Sequence, residues 1–276
     1  MKIMTINTHS YIEENSEEKL NIFTDAISRL QPDIIAMQEV NQKTSSEPLE
    51  DAKETVLNQF GIPLKSDNFG LRVAEALEKQ GVFYKLVWLG IKHAYEAYDE
   101  GICFLCKMPA ESSCAFLISK CSSNENWRKR MVLGIEVNKE WFYNVHMGRW
   151  DDSEEPFYNQ WLCLNEKAAH GTPRWLMGDF NAPSDYKNEG YSSILSSGWY
   201  DTYTLAKEKD GGGTVSGGID GWEDKTNFEN KRIDYIFTDT KREIQSSYTV
   251  FNGKNEKRVS DHNAVLVSYE GNDFHA

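Results

Sequence analysis

Lys2-Ile3-Met4-Thr5-Ile6-Asn7 and Asp33-Ile34-Ile35-Ala36-Met37-Gln38-Glu39-Val40 are the two segments that decide the fold class. Each is a short, mostly apolar run of the kind that forms a buried strand. Between them, residues 16–30 place apolar side chains at helical spacing, and Pro32 ends that helix. A strand, a helix and a second strand in succession predict the start of a mixed α/β fold.

The rest of the chain contains more expected strands than helices. The short spacing of the middle strands predicts hairpins and meanders rather than a doubly wound parallel sheet. Residues 207–228 are polar and rich in glycine, and we expect a mobile loop over residues 211–218. No repeat or linker divides the sequence, so we expect one domain spanning residues 1–276. The expected strands cover residues 82–89, 101–106, 113–119, 131–137, 140–146, 173–178, 233–238 and 263–269, and the expected helices cover residues 71–79, 155–169 and 192–197.

The composition and charge disfavour several classes of protein. The chain has 39% hydrophobic residues and a formal net charge of −13, so we expect a globular protein whose acidic surface repels nucleic acid. We interpret the basic runs at residues 126–130 and 254–258 as solvated charges. The five cysteines follow no disulfide framework, and Cys103 and Cys106 lie in an apolar run, which predicts buried, reduced cysteines rather than a zinc site.

The sequence also predicts a cytoplasmic protein without a membrane partner. Its N-terminal run lacks the apolar core and cleavage site of a signal peptide, and no apolar run is long enough to span a bilayer. Protein partners are left open.

Polar side chains follow or end the apolar runs at several places along the chain. Ligand sites of sheet proteins form where strands end, because loops there bring polar groups together without disturbing the core. Carboxylate and amide oxygens suit Mg²⁺. A carboxylate can activate the attacking water, and a histidine held by a carboxylate can stabilise charge on the phosphoryl oxygens. Any one of these residues alone is more often a turn former or a solvent-facing side chain. Together they favour hydrolysis of a phosphate ester, and the set is Asn7, Glu39, His146, Asp179, Asn181, Asp234, Asp261 and His262.

Six short motifs that contain these residues occur in a fixed order. They are Thr5-Ile6-Asn7-Thr8, Gln38-Glu39-Val40, Asn144-Val145-His146, Gly178-Asp179-Phe180-Asn181, Arg232-Ile233-Asp234-Tyr235 and Ser260-Asp261-His262. This order resembles the endonuclease/exonuclease/phosphatase family, which has the deoxyribonuclease I-like fold. The resemblance implies an α/β four-layer sandwich of two mixed β-sheets flanked by helices.

The resemblance also implies a metal site. Glu39 resembles the main Mg²⁺ ligand, with Asn7 and Asp261 beside it, and Mn²⁺ is a possible substitute for Mg²⁺. Glu100, in the motif Tyr98-Asp99-Glu100-Gly101, would support this site.

The remaining motif residues resemble the groups that act on the phosphate. Asp179 resembles the base that orients water, and Asn181 would help hold the scissile phosphate. His146 and His262 resemble the phosphate-binding histidines, and Asp234 would orient His262.

The resemblance leaves the substrate open, because one fold serves many chemistries. We expect a small phosphorylated substrate, with Arg149 on its phosphate and Trp150 on a sugar ring. Residues 91–101 and 146–152 resemble the bacterial sugar-phosphate phosphatases of this family, such as maltose 6'-phosphate phosphatase. A phosphodiesterase or endonuclease acting on nucleic acid and a sphingomyelinase-like phospholipid hydrolase are the alternatives. A binding protein that has lost catalysis is a third, which the intact residue set disfavours.

Overall fold

The computed structural model describes residues 1–50, 61–168, 171, 173–186, 190–216, 219, 222 and 229–270. Within these ranges the helices are α1 (Ser16–Leu30), α2 (Phe69–Lys79), α3 (Phe157–Lys167), α4 (Gly190–Ser196) and α5 (Thr202–Leu205). The strands are β1 (Lys2–Asn7), β2 (Ile34–Lys43), β3 (Lys85–Ala94), β4 (Tyr98–Cys106), β5 (Ser112–Leu117), β6 (Met131–Val137), β7 (Glu140–His146), β8 (Arg174–Asp179), β9 (Tyr200–Asp201), β10 (Glu208–Lys209), β11 (Val215–Ser216), β12 (Glu229–Lys231), β13 (Asp234–Thr238), β14 (Ile244–Val250) and β15 (Ala264–Tyr269).

These strands form two large mixed sheets. The strand order is β10-β14-β15-β1-β2-β4-β3 in the first sheet and β5-β6-β7-β8-β13-β9 in the second. Strands β1 and β2 are parallel and are connected through α1, as the two opening segments predict. The expected hairpins and meanders are present as well, because β3 pairs with β4, and β5, β6 and β7 pair in succession, all antiparallel.

Three hydrophobic clusters separate the layers of the molecule. Ile3 and Met177 belong to the cluster that packs one sheet against the other. Met4 points the opposite way, toward Phe23 of α1, because successive side chains of a strand alternate between its faces. Trp161 of α3 packs on the outer face of the second sheet. The predicted four-layer sandwich is therefore confirmed. No helix in the described ranges is long and apolar enough to cross a bilayer.

Some element boundaries differ from the sequence prediction. Strand β3 lies three to five residues later than expected, because it continues past Gly90 through an irregularity in its pairing with β4. Strand β14 was not predicted, since its polar sequence Ile244-Gln245-Ser246-Ser247-Tyr248-Thr249-Val250 carries a weak apolar pattern. In the expected glycine-rich loop, Val215 and Ser216 form β11, whereas residues 217–218, 220–221 and 223–228 lie outside the described residues.

The predicted burial of Cys103 and Cys106 is confirmed, and one basic run was misinterpreted. Cys103 and Cys106 are both buried in β4. Lys129 and Arg130 are buried too, so the interpretation of residues 126–130 as solvated charges is wrong for this pair. Their cationic groups bond to oxygens of their own loop, since Lys129 Nζ donates to Asn124 Oδ1 (2.6 Å) and Arg130 Nη1 donates to the main-chain oxygen of Trp127 (2.7 Å).

A buried pair of amide side chains joins the two sheets. Gln38 of β2 donates from Nε2 to Oδ1 of Asn144 on β7 at 2.7 Å. Asn144 Nδ2 donates in turn to the main-chain oxygens of Met37 (3.0 Å) and Cys103 (2.8 Å) in the first sheet. Buried polar groups must find partners, and sliding one sheet over the other would break these hydrogen bonds. The pair therefore fixes how the two sheets lie on each other.

Gly178 allows β8 to lie close to β7 beside the residues expected to react. Its φ is 152°, and a Cβ atom built on it would lie 1.9 Å from the main-chain oxygen of Val145. We expect Gly178→Ala to lower the free energy of unfolding by about 3 kcal/mol, because the two strands must separate. Urea denaturation measures this, with Gly211→Ala as the control, since nothing lies within 4 Å of a Cβ atom at Gly211. Equal urea midpoints for the two variants would contradict the prediction.

Candidate active site

One cleft of about 520 Å³ lies where the two sheets meet at a common edge. Strands β7 and β8 run parallel and end there in His146 and Asp179, while β13 begins there with Asp234. The structure brings most of the predicted site residues into this cleft. Those that line it are Glu39, Glu100, His146, Arg149, Asp179, Asn181, Asp261 and His262.

Glu39 reaches the cleft from a bulge in β2. The pairing of β2 with β4 shifts register between Met37 and Val40, and Glu39 has a φ of 50°. Because a bulge redirects a side chain from the strand alternation, the carboxylate of Glu39 can point past the sheet edge. Its Oε1 accepts a hydrogen bond from Asn7 Nδ2 at 2.8 Å. Burial, and then the negative charge of Glu100, raise the pKa of Glu39 to about 7.

Asp179 is fixed by the main chain and by two amides. Its Oδ1 accepts from the main-chain N–H of Asn181 (2.8 Å), and its Oδ2 accepts from Asn7 Nδ2 (3.2 Å). Asn181 adopts a φ of 49° and donates from Nδ2 to the main-chain oxygen of Met147 (3.1 Å). Burial, and then the negative charge of Asp234, raise the pKa of Asp179 to about 7. A carboxyl group with this pKa is suited to accept a proton near neutral pH.

The imidazoles of His146 and His262 face Asp179 in different charge states. His262 donates from Nδ1 to Asp234 Oδ2 at 2.9 Å. Burial opposes its charge, but the charge and hydrogen bond of Asp234 raise the pKa of His262 well above its ordinary value. Burial, and then the positive charge of Arg130, lower the pKa of His146 well below the ordinary value. The Nε2 atoms of His146 and His262 lie 3.7 Å and 3.9 Å from Asp179 Oδ2.

Asp261 belongs to a second group of titratable side chains beside Glu39. Its main-chain N–H donates to Glu13 Oε1 (3.0 Å), and its Oδ1 lies 3.8 Å from His9 Nδ1. Burial opposes a charge on His9, but its hydrogen bond to Glu13 and the charges of Asp261 and Glu39 raise the pKa of His9 to about 9. Sequence reasoning missed His9 and Glu13. The position of His9 two residues after Asn7 was the available signal for it.

Asn7 and Trp150 contribute differently from expectation. Asn7 presents Nδ2 to Glu39, and its Oδ1 accepts from the main-chain N–H of His9 (3.2 Å). Trp150 packs its ring on Trp222, at 4.7 Å between centroids, and it is Trp222 that lines the cleft.

Glu100 is paired with a buried lysine that sequence reasoning did not single out as a site residue. Lys92 Nζ lies 2.7 Å from Glu100 Oε1, and both residues are buried. We expect Lys92→Met to lower the free energy of unfolding by about 3 kcal/mol, because it leaves the Glu100 charge buried without a partner. Urea denaturation tests this. The double variant Lys92→Met/Glu100→Gln should recover much of the loss, and equal stability of the single and double variants would refute the argument.

Aromatic side chains form the outer part of the cleft. Trp127 is 52% exposed and Tyr95 is 46% exposed, and both line the same cavity as Asp179. The buried Trp222 donates from Nε1 to Asn181 Oδ1 at 3.1 Å. Trp88, Trp161 and Trp199, by contrast, are buried in the core clusters.

Comparisons with known proteins agree with this geometry. The chain is 30% identical to an endonuclease/exonuclease/phosphatase family protein from Leptotrichia buccalis C-1013-b, over 98% of this chain and 100% of that chain, with a TM-score of 0.87. A mannosyl-6-phosphatase from Bacteroides thetaiotaomicron VPI-5482 has the same fold at 15% identity, with 98% and 100% of the chains covered and a TM-score of 0.64. A 3′ phosphatase from Neisseria bound to a product DNA hairpin is similar at 18% identity, with the same coverage and a TM-score of 0.61. No curated protein sequence matches. Because the model of the Endonuclease/Exonuclease/phosphatase family matches residues 4–262, the chain belongs to this family of metal-dependent phosphoester hydrolases.

Proposed function

We propose that the protein is a Mg²⁺-dependent phosphomonoesterase that acts on a small phosphorylated sugar. The observation that carries this proposal is the arrangement of the cleft. Asp179, His146 and His262 converge at its floor, and exposed aromatic rings stand at its rim. The floor suits a phosphate group and the rim suits the face of a sugar ring.

The residues at the first sheet fit a hard divalent cation. Glu39 and Asp261 offer carboxylate oxygens on one side of the cleft, and burial of Glu39 disfavours its charge until a cation is present. Asn7 would orient Glu39 through its Nδ2 hydrogen bond, and it would ligate the metal itself only with the amide reversed. Bound Mg²⁺, or Mn²⁺ in its place, would act as a Lewis acid on the phosphoryl group and the leaving oxygen.

The chain's own residues would carry the proton and the developing charge. Asp179 would accept a proton from the water whose oxygen attacks phosphorus, while the bond from phosphorus to the sugar oxygen breaks. The protonated His262, held by Asp234, would donate a hydrogen bond to a phosphoryl oxygen. Neutral His146 would donate another without adding charge. The leaving oxygen would take a proton from solvent and Asp179 would release its proton to solvent, so that one water is consumed and the products are the sugar and inorganic phosphate.

The rim favours a sugar over an extended polyanion. Tyr95 and Trp127 are exposed at the cavity, the buried Trp222 lines it, and Arg149 lines it while pairing with Asp151 at 3.0 Å. The net charge of −13 works against a long nucleic acid. The mannosyl-6-phosphatase of similar fold supports the sugar assignment, whereas the DNA 3′ phosphatase supports an end-processing enzyme as second candidate.

A substrate panel tests the proposal. Phosphate release is measured from hexose and disaccharide phosphates, glycerol phosphate and a DNA 3′-phosphate, next to plasmid nicking, each with Mg²⁺ and with EDTA. We expect Mg²⁺-dependent turnover of the sugar phosphates that exceeds turnover of glycerol phosphate, since glycerol has no ring to stack. Nicking or DNA end processing without release from sugars would overturn the proposal.

A further inference from the structure

We propose that Arg130 makes the cleft selective for dianionic phosphate monoesters over monoanionic diesters. The inference rests on the proposed function, because it names the residue that would restrict this site to a terminal phosphate.

Arg130 lies at the sheet edge beside the expected reaction centre. It directly precedes β6, whose Val132 pairs with Val145 of β7, one residue before His146. Only 6% of the residue is exposed, and it lines the same cavity as Glu39, His146 and Asp179. A buried guanidinium group in this place is within the electrostatic range of any phosphate that Asp179 can reach.

The loop around Arg130 accepts hydrogen bonds from one nitrogen of the guanidinium group and leaves another without a partner. Nη1 donates to the main-chain oxygens of Trp127 (2.7 Å) and Lys129 (3.1 Å), and the Arg130 main-chain N–H donates to Ser119 Oγ (2.9 Å). Nε is buried and has no hydrogen-bond partner among the described residues. A buried donor without a partner is costly, so a shift of the side chain that turned this N–H toward a bound anion would gain a hydrogen bond.

Arg130 also differs from Lys92 and Arg149, which line the same cleft, in its ion pairing. Lys92 pairs with Glu100 at 2.7 Å, and Arg149 pairs with Asp151 at 3.0 Å. Arg130 forms no ion pair with any carboxylate in the described part of the chain. The carboxylates of Glu100 and Glu39 act on this charge without contacting it, so a bound phosphate could form the ion pair that they do not, and burial would strengthen that interaction.

A terminal phosphate matches this available charge better than a diester does. Above its second pKa of about 6, a phosphate monoester carries two negative charges on three unesterified oxygens. A diester carries one charge on two, because a second alcohol occupies the third oxygen. Glu39, Asp179 and Asp261 line the cleft, so a fixed cation in addition to the expected Mg²⁺ and the protonated His262 would help offset their repulsion of the extra charge. Arg130 supplies that cation in a planar form that can bind two oxygens.

A pair of chromogenic substrates tests the inference. p-Nitrophenyl phosphate and its monomethyl ester have the same leaving group and differ by one charge and one free oxygen. We expect Arg130→Gln to lower kcat/KM for the monoester about 100-fold and for the methyl ester less than about 10-fold. Arg130→Lys keeps the charge, so its preference for the monoester over the methyl ester should lie between those of the wild type and Arg130→Gln. The Lys variant also allows the test if the Gln variant does not fold. Arg128→Gln removes a guanidinium from the same loop that does not line the cleft, and its substrate ratio should match the wild type.

The outcomes distinguish failure of the Arg130 inference from failure of the proposed function. If the wild type prefers the monoester and both Arg130 variants keep that preference unchanged, the inference is overturned while the phosphomonoesterase stands. If the wild type prefers the methyl ester, the proposed function fails and takes the inference with it. A selective loss for the monoester in Arg130→Gln, with an intermediate ratio in Arg130→Lys, supports the inference.

Discussion

Asp179→Asn should lower kcat about 1,000-fold with the fold retained, because it removes the group that accepts the proton of the attacking water. Asparagine keeps the shape of the side chain. Burial disfavours the ionised carboxyl group, so the variant should be at least as stable as the wild type in thermal unfolding. Asp185→Asn is the matched control, since this exposed carboxylate pairs with Lys231 outside the cleft. A turnover within threefold of the wild type would remove Asp179 from the role of base.

The pH profile of the wild type reports the titration of Asp179 together with that of Glu39, whose pKa is also about 7. A base acts only in its deprotonated form, and burial beside Asp234 raises the pKa of Asp179 to about 7. Below that pH the carboxyl group carries a proton, so kcat/KM should fall as the pH drops through about 7 and should level off above it. His262 has a pKa well above its ordinary value and keeps its proton through this window. A profile that is flat from about pH 5 to pH 8 would contradict a base with this pKa.

Glu39→Gln should produce the other large loss. The substitution removes a carboxylate charge from the expected metal site, so we expect weaker Mg²⁺ binding and a kcat reduced roughly 1,000-fold, in line with several kcal/mol of metal-dependent stabilisation. Isothermal titration with Mn²⁺ and Mg²⁺ measures binding apart from turnover. Glu166→Gln changes the net charge equally on the exposed face of α3 and should alter neither quantity. Unchanged metal affinity in Glu39→Gln would show that the ion binds elsewhere.

Much of the fold could be predicted because its strands are strongly apolar and its opening unit is local. The span of α1 was predicted to the residue, and β1, β6 and β7 likewise. The layered arrangement came from the ordered motifs, since periodicity does not say which sheets pack together. Strand β14 could not be found, because its pairing with β15 compensates for a sequence of serines and threonine.

The candidate site was predicted only where a motif marked it. Asp179 and His262 stand in recognisable short sequences, whereas Lys92 and Arg130 look like ordinary surface cations in the sequence. Their burial depends on partners on a neighbouring strand or in an irregular loop, such as Glu100 and the Trp127 carbonyl. Charge alone does not reveal such partners.

The Gln38–Asn144 amide pair has a consequence for partly damaged molecules. Glu39 comes from one sheet, and His146 and Asp179 come from the other. Catalytic activity therefore depends on how the two sheets are aligned. Sliding one sheet by a single residue, about 3.3 Å, would leave every strand intact and still pull the two halves of the reaction centre apart. A molecule whose sheets had shifted in this way after heating or cleavage would therefore lose activity before its strands unfolded.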